Sequence, residues 1–120
     1  MQVSLITCTF SSEKTIKNCC LSISTQSLKN LEHIIVDKDS IDNTLRIVKK
    51  FKIENQKIHQ QKSDGIYGAL NEGLKITNGE IIGLLHSDDE FINHDFLDKM
   101  VSIFSDEKID IFFSKRNFDR

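Results

Sequence analysis

Four short apolar stretches alternate with amphipathic stretches along this chain of 120 residues. The stretches at 2–7, 31–36 and 80–85 are rich in Val, Leu and Ile, which is typical of strands, and a shorter one lies at 57–61. Between them, apolar residues recur every three or four positions, which predicts helices. Because strands and helices alternate, we expect an α/β domain with a mostly parallel sheet and helices on both faces.

Short polar residues precede the predicted helices, where their side chains favour a helix start. Ser11-Ser12 precede a helix running to about Ser24, Ser40 or Asp42 precedes the second helix, and Asn93 precedes the fourth. The predicted inward positions are Ile41, Leu45, Val48 and Phe51 in the second helix, Leu70, Gly73 and Leu74 in the third, and Phe96, Leu97, Met100, Val101 and Phe104 in the fourth.

Glycine and a last apolar stretch define the remaining predicted elements. The third helix is predicted at Ile66–Ile76, and Gly79 suits a stop just beyond its end. A fifth strand is predicted at Ile109–Phe113. With this strand, the pattern is a strand–helix pair repeated four times and closed by a strand, which fits one domain.

The charge pattern argues against several classes of protein. The chain has 16 basic and 18 acidic residues and no basic block, so charge does not indicate nucleic-acid binding. No apolar run approaches the roughly 20 residues of a membrane span, and the first residues lack a basic leader, so we expect a cytoplasmic protein. Cys8, Cys19 and Cys20 have neither disulfide nor zinc spacing, which favours buried thiols.

Two adjacent carboxylates, Asp88 and Asp89, follow the apolar run at 81–85. Carboxylates this close repel each other, and a hard divalent cation such as Mg²⁺ or Mn²⁺ relieves the repulsion while binding phosphate oxygens. An ordinary turn is the alternative, because Asp is common in turns. The metal interpretation gains weight because polar residues follow each of the first four predicted strands, and parallel strands place such residues at one edge. These groups are Thr7-Cys8-Thr9, Asp37-Lys38-Asp39, Ser63-Asp64 and Ser87-Asp88-Asp89.

The motifs that bind phosphates through glycine-rich loops are absent from the sequence, as is the GxSxG elbow of hydrolases. A bound diphosphate would therefore depend on a metal and on scattered backbone groups. Asp37 can accept hydrogen bonds from a base or ribose, or can cap a helix; Asp64-Gly65 can shape a ligand pocket or an ordinary loop. Asn71 can reach solvent or a ligand, and His86 can contact a ligand or be a satisfied, partly buried histidine.

Five segments, in order, resemble motifs of the family 2 glycosyltransferases, which have the GT-A fold, and the resemblance runs from Val3 to roughly Phe113. The third of them resembles the Val-Asp-Gly-Gly-Ser-x-Asp-x-Thr motif, and the last resembles the Ser-Asp-Asp metal motif. The segments are Val3–Ser11, Gln26–Leu28, Ile35–Thr44, Asp64–Gly73 and Asn78–Asp89.

The resemblance implies a binding site for a nucleotide-sugar donor, most simply a UDP-sugar. It assigns Asp37 to the base, Asp88 to the ribose or sugar, and Asp89, with Asp88, to Mn²⁺ or Mg²⁺ on the diphosphate. The remaining assignments are Thr9 and Phe10 for the nucleoside, and Asp64, Gly65 and Asn71 for the base and sugar pocket.

The chain departs from the family pattern at a few positions and in its length. The substitutions are Cys8 for Pro, Phe10 for Tyr, Ser11 for Asn, Lys38-Asp39 for two small residues, and His86 for Asn. In the family, the catalytic base lies in a second half beyond position 120, so the resemblance leaves the catalytic residue of this chain unknown.

These observations predict a single nucleotide-sugar-binding domain over 1–120, corresponding to an incomplete glycosyltransferase domain truncated before the acceptor half. The expected activity is metal-assisted sugar transfer, with inversion, to a glycan or lipid-linked acceptor in bacterial polysaccharide synthesis. The alternatives are a non-catalytic nucleotide-sugar-binding module, a degenerate fragment or a generic doubly wound domain. A homodimer, a complementing C-terminal half and peripheral membrane association stay open as partners.

Overall fold

The computed structural model describes residues 1–51 and 53–107, with the side chains of 106 and 107 left aside. Strands and helices alternate strictly along this part of the chain. In order, the elements are β1 (Val3–Thr9), α1 (Ile16–Ser24), β2 (Leu31–Asp37), α2 (Thr44–Lys50), β3 (Asn55–Gln60), α3 (Gly65–Lys75), β4 (Ile81–Leu84) and α4 (Phe96–Glu107). The predicted fifth strand at Ile109–Phe113 lies outside the described residues.

The four described strands form one sheet in the order β3-β2-β1-β4, and all three pairings are parallel. In the register of the two central strands, Val3 pairs with Leu31 and Thr9 pairs with Asp37. The central strands are the most apolar and the most buried, whereas the edge strand β3 is only half-buried. This architecture confirms the predicted α/β fold with a parallel sheet.

The two faces of the sheet carry two apolar clusters. Val3, Leu5 and Ile35 point to the face covered by α1, α2 and α4, where Leu97 is also fully buried. Ile6, Ile34 and Val36 point to the other face, where Ala69 of α3 packs against them. Successive side chains of a strand point to opposite faces, so the central strands contribute to both clusters. Helices lie on both faces of the sheet, as predicted from the alternation of strands and helices along the chain.

Two predicted helix starts are wrong, and the reason is the same for both. Helix α1 begins at Ile16, four residues after Ser12, whose carbonyl instead accepts the N–H groups of Thr15 and Ile16 in a turn. Helix α2 begins at Thr44, and Ser40 binds the carboxylate of Asp37 rather than a helix end. Polar residues that can cap a helix are used here to hold loops.

Asp42 has part of its predicted role. Its Oδ1 accepts hydrogen bonds from the N–H and the hydroxyl of Thr44, at 3.0 and 2.6 Å, from one position before the N-cap residue Asn43. The hydroxyl bond holds the pKa of the Asp42 carboxyl below its usual value. Asp42 thus stabilises the start of α2 without being its N-cap.

Three residues expected inside or at the end of helices have other positions. Ile41 is 97% exposed, because it precedes α2 instead of belonging to its apolar stripe. Leu74 is 44% exposed, since Ala69 and Gly73 form the inner face of α3. Gly79 is not the stop of α3, which ends at Lys75; its N–H donates to the Ser4 hydroxyl at the start of the sheet.

No helix among the described residues is long and apolar enough to cross a bilayer.

Candidate functional site at the carboxyl ends of the strands

The loops after the parallel strands meet at one edge of the sheet. From β1 the chain crosses to β2 and β3 on one side, and β4 lies on the other side of β1. Ligands of open parallel sheets bind where the strand order reverses in this way, at the carboxyl ends of the strands. The loops after β1 and β4 therefore border the expected crevice.

The acidic pair forms a turn directly after β4. The N–H of Asp89 donates to the carbonyl of His86 at 3.0 Å, which closes the turn. Asp89 is buried, 6% exposed, whereas Asp88 is exposed. The turn is tied to the loop after β1, because the Ser12 hydroxyl donates to the Ser87 hydroxyl at 3.2 Å. The two adjacent carboxylates therefore differ in their access to solvent.

A cavity of about 940 Å³ opens beside this turn. Both carboxylates line it, together with the loop after β1 and with Ile66, the second residue of α3. The full lining is Cys8, Ser11, Ser12, Glu13, Lys14, Thr15, Asp42, Ile66, His86, Ser87, Asp88 and Asp89.

The chemistry of this lining fits a divalent cation only in part. Two adjacent carboxylates are suitable ligands for Mg²⁺ or Mn²⁺. Among the described residues, no group of three or more His, Cys, Asp or Glu side chains is arranged to hold a metal alone. An ion held by Asp88 and Asp89 would need further ligands from water or from a phosphate-bearing molecule.

A second cavity of about 350 Å³ adjoins the first. The two cavities share Cys8, Ser12, Ile66 and Ser87, so they form neighbouring parts of one crevice. The lining of the smaller cavity is completed by Thr9, Phe10, Lys38, Gln61, Gly65 and Ala69. Two residues predicted for the nucleoside, Thr9 and Phe10, therefore lie together here, and the Phe10 ring is 68% exposed.

Asp37, expected to contact a base, lies behind this cavity and is not among its lining residues. Its side chain is fully buried. The carboxylate accepts hydrogen bonds from the Thr9 hydroxyl, the Ser40 hydroxyl and the Ser40 N–H. In this arrangement Asp37 fixes the ends of β1 and β2 and the turn that follows.

Asp64 and Gly65 lie at the start of α3, on the far side of the smaller cavity. Gly65 lines the cavity and has a φ of +79°, a conformation that favours glycine. The Asp64 carboxylate is exposed and forms an ion pair with Lys38 at 3.1 Å. Gly65 is thus placed on the cavity wall, whereas Asp64 reaches it only through Lys38.

Asn71 is not brought to the crevice. It is exposed and lines a separate depression of about 660 Å³ on the outer side of α3, beside Glu72. Tyr67, one turn earlier on the same helix face, is 81% exposed. Helical spacing therefore places both residues outward, since Ala69 and Gly73 occupy the inner face.

Glu72, which the sequence did not single out, holds the loop that leads into α3. Its carboxylate accepts hydrogen bonds from the N–H groups of Lys62 and Ser63 and from the Ser63 hydroxyl. It also lies 2.8 Å from Nε2 of His59. These hydrogen bonds, led by that of the Ser63 hydroxyl, lower the pKa of Glu72 strongly. The loop between β3 and α3 is therefore fixed at one edge of the smaller cavity.

Three further residues of the crevice escaped prediction. Lys38 and Gln61 line the smaller cavity, and Ser12 lies between the two cavities. Lys38 and Ser12 lie in loops that follow predicted strands, and this position alone could have indicated that they border the crevice. Gln61 carried no signal of its own, because its role depends on contacts with residues 63 and 65.

Cys8 lines both cavities, and burial raises the pKa of its thiol to about 11. At neutral pH the thiol is therefore protonated and a poor nucleophile. His86 is exposed and lines the larger cavity beside Asp88, so it faces the crevice and not the core.

Comparisons with known proteins agree with this geometry. The family model described as glycosyl transferase family 2 matches residues 4–119. The chain belongs to glycosyl transferase family 2. Within this family, the glucosyltransferase WfaP of Escherichia coli, which is named for UDP-Glc and α-D-GlcNAc-diphosphoundecaprenol, is 34% identical over 119 residues; the match covers 97% of this chain and 45% of WfaP. Chondroitin synthase of Escherichia coli is 30% identical over 122 residues, covering 98% of this chain and 18% of that protein.

Solved structures of glycosyltransferases share the fold. TarS residues 1–349 of S. aureus, in complex with UDP-GlcNAc, has a TM-score of 0.83 and 32% identity; the match covers 90% of this chain and 32% of TarS. The mannosyltransferase PcManGT of Pyrobaculum calidifontis, in complex with GDP-Man and Mn²⁺, has a TM-score of 0.81 at 23% identity, and the match covers 90% of this chain and 33% of PcManGT. The fold of this family 2 chain is therefore GT-A-like.

The chain corresponds to only part of these proteins. It spans 18% of chondroitin synthase and 45% of WfaP, and about a third of the TarS and PcManGT chains.

Proposed function

We propose that this chain is a single donor-binding domain, over 1–120, of a glycosyltransferase that moves a sugar from a nucleoside-diphosphate sugar to a glycan or lipid-linked acceptor. Transfer with inversion, in the cytoplasm and in the synthesis of a bacterial polysaccharide, completes the proposal. One observation carries it: the Asp88-Asp89 turn lines a cavity that adjoins a second cavity lined by Thr9 and Phe10. In a nucleoside diphosphate the diphosphate is joined to the nucleoside, so a donor can place its diphosphate in the larger cavity and its nucleoside in the smaller one.

In this proposal Asp89 and Asp88 bind Mn²⁺ or Mg²⁺ together with the diphosphate of the donor. The fit rests on the chemistry of the two carboxylates, because the described residues supply no complete metal cage and a diphosphate supplies the missing oxygens. A cation held there would neutralise the negative charge that develops on the departing nucleoside diphosphate. The buried position of Asp89 restricts the motion of its carboxylate, which favours a fixed ligand geometry.

The smaller cavity is the proposed nucleoside subsite. The exposed ring of Phe10 offers a face on which a base can stack. Thr9 shapes the wall while its hydroxyl is held by Asp37. Gly65 lets a ligand approach the backbone closely, because it has no side chain and a Cβ added there would meet no atom within 4 Å.

The proposal is tested by calorimetric titration of UDP into the folded chain, with Mn²⁺ and with EDTA. We expect binding that requires the metal and that falls at least about tenfold in Asp89→Asn, since a charged ligand is lost. Glu90→Gln is the matched control, because Glu90 is the next residue, is exposed and does not line the cavity. If UDP, GDP and dTDP all fail to bind the folded protein, the proposal is wrong.

A non-catalytic binding module predicts the same titration result but no chemistry. Release of UDP from a UDP-sugar, in the presence of Mn²⁺ and of candidate glycan acceptors, separates the two functions. Turnover above the buffer rate that disappears in Asp89→Asn supports the transferase, and binding without any turnover supports the module.

A further inference from the structure

Lys38 is the one charged side chain among the described residues that line the smaller cavity. The other polar groups on that wall are largely occupied: the Thr9 hydroxyl donates to Asp37, and the Asp37 carboxylate is fully buried behind the wall with three hydrogen bonds. A molecule in this cavity therefore meets a lysine where the sequence pattern had suggested an aspartate.

The ammonium of Lys38 is held in a defined place. It donates to the Ser63 carbonyl at 2.9 Å and to the Asp64 carboxylate at 3.1 Å. An ammonium has three N–H donors and no acceptor, so these two contacts, the only ones seen among the described residues, leave one donor. The side chain is one-third exposed, so this donor is open to a ligand.

Gln61 supplies the complementary group beside it. Its Nε2 donates to the carbonyls of Ser63 and Gly65, both at 2.9 Å, which uses both amide hydrogens and fixes the orientation of the amide. Within residues 1–51 and 53–107, no hydrogen bond to Gln61 Oε1 is seen, and His33 Nδ1 is the only fully buried side-chain nitrogen or oxygen that lacks a partner there. Gln61 Oε1 is therefore not fully buried. Its Oε1 is therefore an accessible acceptor on a residue that lines the cavity.

The Lys38 ammonium and Gln61 Oε1 together offer a hydrogen-bond donor beside an acceptor. Such a pair is complementary to the hydrogen-bonding edge of some bases and not to that of others. Uracil, thymine and guanine each present a carbonyl oxygen beside a ring N–H, whereas cytosine and adenine present an amino donor beside a bare ring nitrogen. A lysine cannot accept from an amino group. When the exocyclic group of the base faces Lys38, cytosine or adenine would set an amino donor against the ammonium and a bare ring nitrogen against Gln61 Oε1, so that neither hydrogen bond forms.

Resting on the proposed function, we propose that Lys38 and Gln61 select the base of the donor by reading its carbonyl and ring N–H. The chain would then take uridine, thymidine or guanosine diphosphates and reject cytidine and adenosine diphosphates. Lys38 is in this account a specificity-determining residue of the nucleoside subsite.

Titration of UDP and CDP, in the presence of Mn²⁺, tests the proposal, because the two bases differ only at this edge. We expect the wild-type chain to bind UDP at least about tenfold more tightly than CDP, the usual effect of a hydrogen bond from a charged group. Lys38→Met, which keeps the length of the stem, removes the charged donor and should lower this preference at least about threefold, and the Gln61 acceptor accounts for the preference that remains. Lys38→Arg, which keeps a donor, should retain most of the preference for UDP.

Lys62→Met is the matched control for charge. Lys62 is exposed, lies next to the same loop and lines the separate depression beside Glu72, not the smaller cavity. It should leave the ratio of UDP to CDP affinity unchanged. A merely structural role of Lys38 would weaken both nucleotides alike and leave the ratio intact.

The outcomes separate the two proposals. Equal binding of UDP and CDP by the wild-type chain, or an unchanged ratio in Lys38→Met, overturns the role of Lys38 and leaves the donor site standing. A failure of UDP, GDP, CDP and ADP alike to bind the folded chain with Mn²⁺ overturns the proposed function and the base selection with it.

Discussion

Acidification from pH 7 to pH 5 should weaken the fold through one buried histidine, His33. Its ring is fully buried on β2, and burial lowers its pKa from 6.5 to about 4. Nε2 is 2.9 Å from the Thr7 hydroxyl, while Nδ1 has no hydrogen-bond partner among the described residues. A proton on the ring would bring an unbalanced charge into the core, so the folded protein disfavours it.

The size and sign of the effect follow from the two pKa values. The unfolded chain takes up a proton as the pH falls below 6.5, and the folded chain does so only near pH 4. Stability is therefore unaffected well above pH 6.5 and declines between pH 6.5 and 4. The difference corresponds to a loss of about 2 kcal/mol in the free energy of unfolding between pH 7 and pH 5.

Urea unfolding at constant temperature and ionic strength, at pH 7 and pH 5, measures this loss. His33→Gln removes the titrating ring and retains a group that can bind the Thr7 hydroxyl, so it should lose much less stability over the same interval, even though it is less stable at pH 7. His86→Gln is the control, because His86 is exposed. A wild-type stability that stays level from pH 7 to pH 5, or an equal loss in His33→Gln, would refute the argument.

Three further substitutions test the packing and the loops. Gly79→Ala should destabilise the fold by about 1–3 kcal/mol in urea unfolding, because its Cβ would lie 2.6 Å from the backbone N of Ser4. Glu32→Gln should lower the free energy of unfolding by about 1–3 kcal/mol, because the buried carboxylate binds Ser4, Asn78 and Lys57. Burial opposes ionisation of Glu32, but these partners outweigh it and lower the pKa of the carboxyl. The difference in stability between wild type and variant should therefore shrink below about pH 4, where the wild-type carboxylate takes up a proton. Ser12→Ala should weaken Mn²⁺-dependent UDP binding about fivefold in calorimetry with little change in thermal stability, because the bond to the turn before Asp88 is lost. An unchanged affinity would exclude a positioning role for Ser12.

The topology was readable from the sequence because it depends on local patterns. The continuous run Ile34-Ile35-Val36 is buried, as expected of a strand covered on both faces, and Gly73 lies on the inner face of α3, as predicted. Ala69, which was not predicted, lies there in place of Leu74. The polar groups after the strands also met at one edge, because parallel strands leave no other arrangement.

The details of the crevice were not readable, because they depend on contacts between distant residues. Ser12 looked like a helix cap, and only its contact with Ser87, 75 positions away, shows that it holds a loop. Asp37 looked exposed to a ligand, but Thr9 on the neighbouring strand takes one of its oxygens. Local propensity cannot distinguish a polar side chain that caps a helix from one that binds another loop.

A crystal of the chain grown with UDP and Mn²⁺ gives the most direct test of the central claim, a metal-dependent donor site at the Asp88-Asp89 turn. The account predicts an anomalous manganese peak in contact with the Asp89 carboxylate and the diphosphate, with the uracil ring in the cavity beside Phe10 and Lys38. A peak away from this turn, or UDP bound elsewhere on the protein, would contradict it.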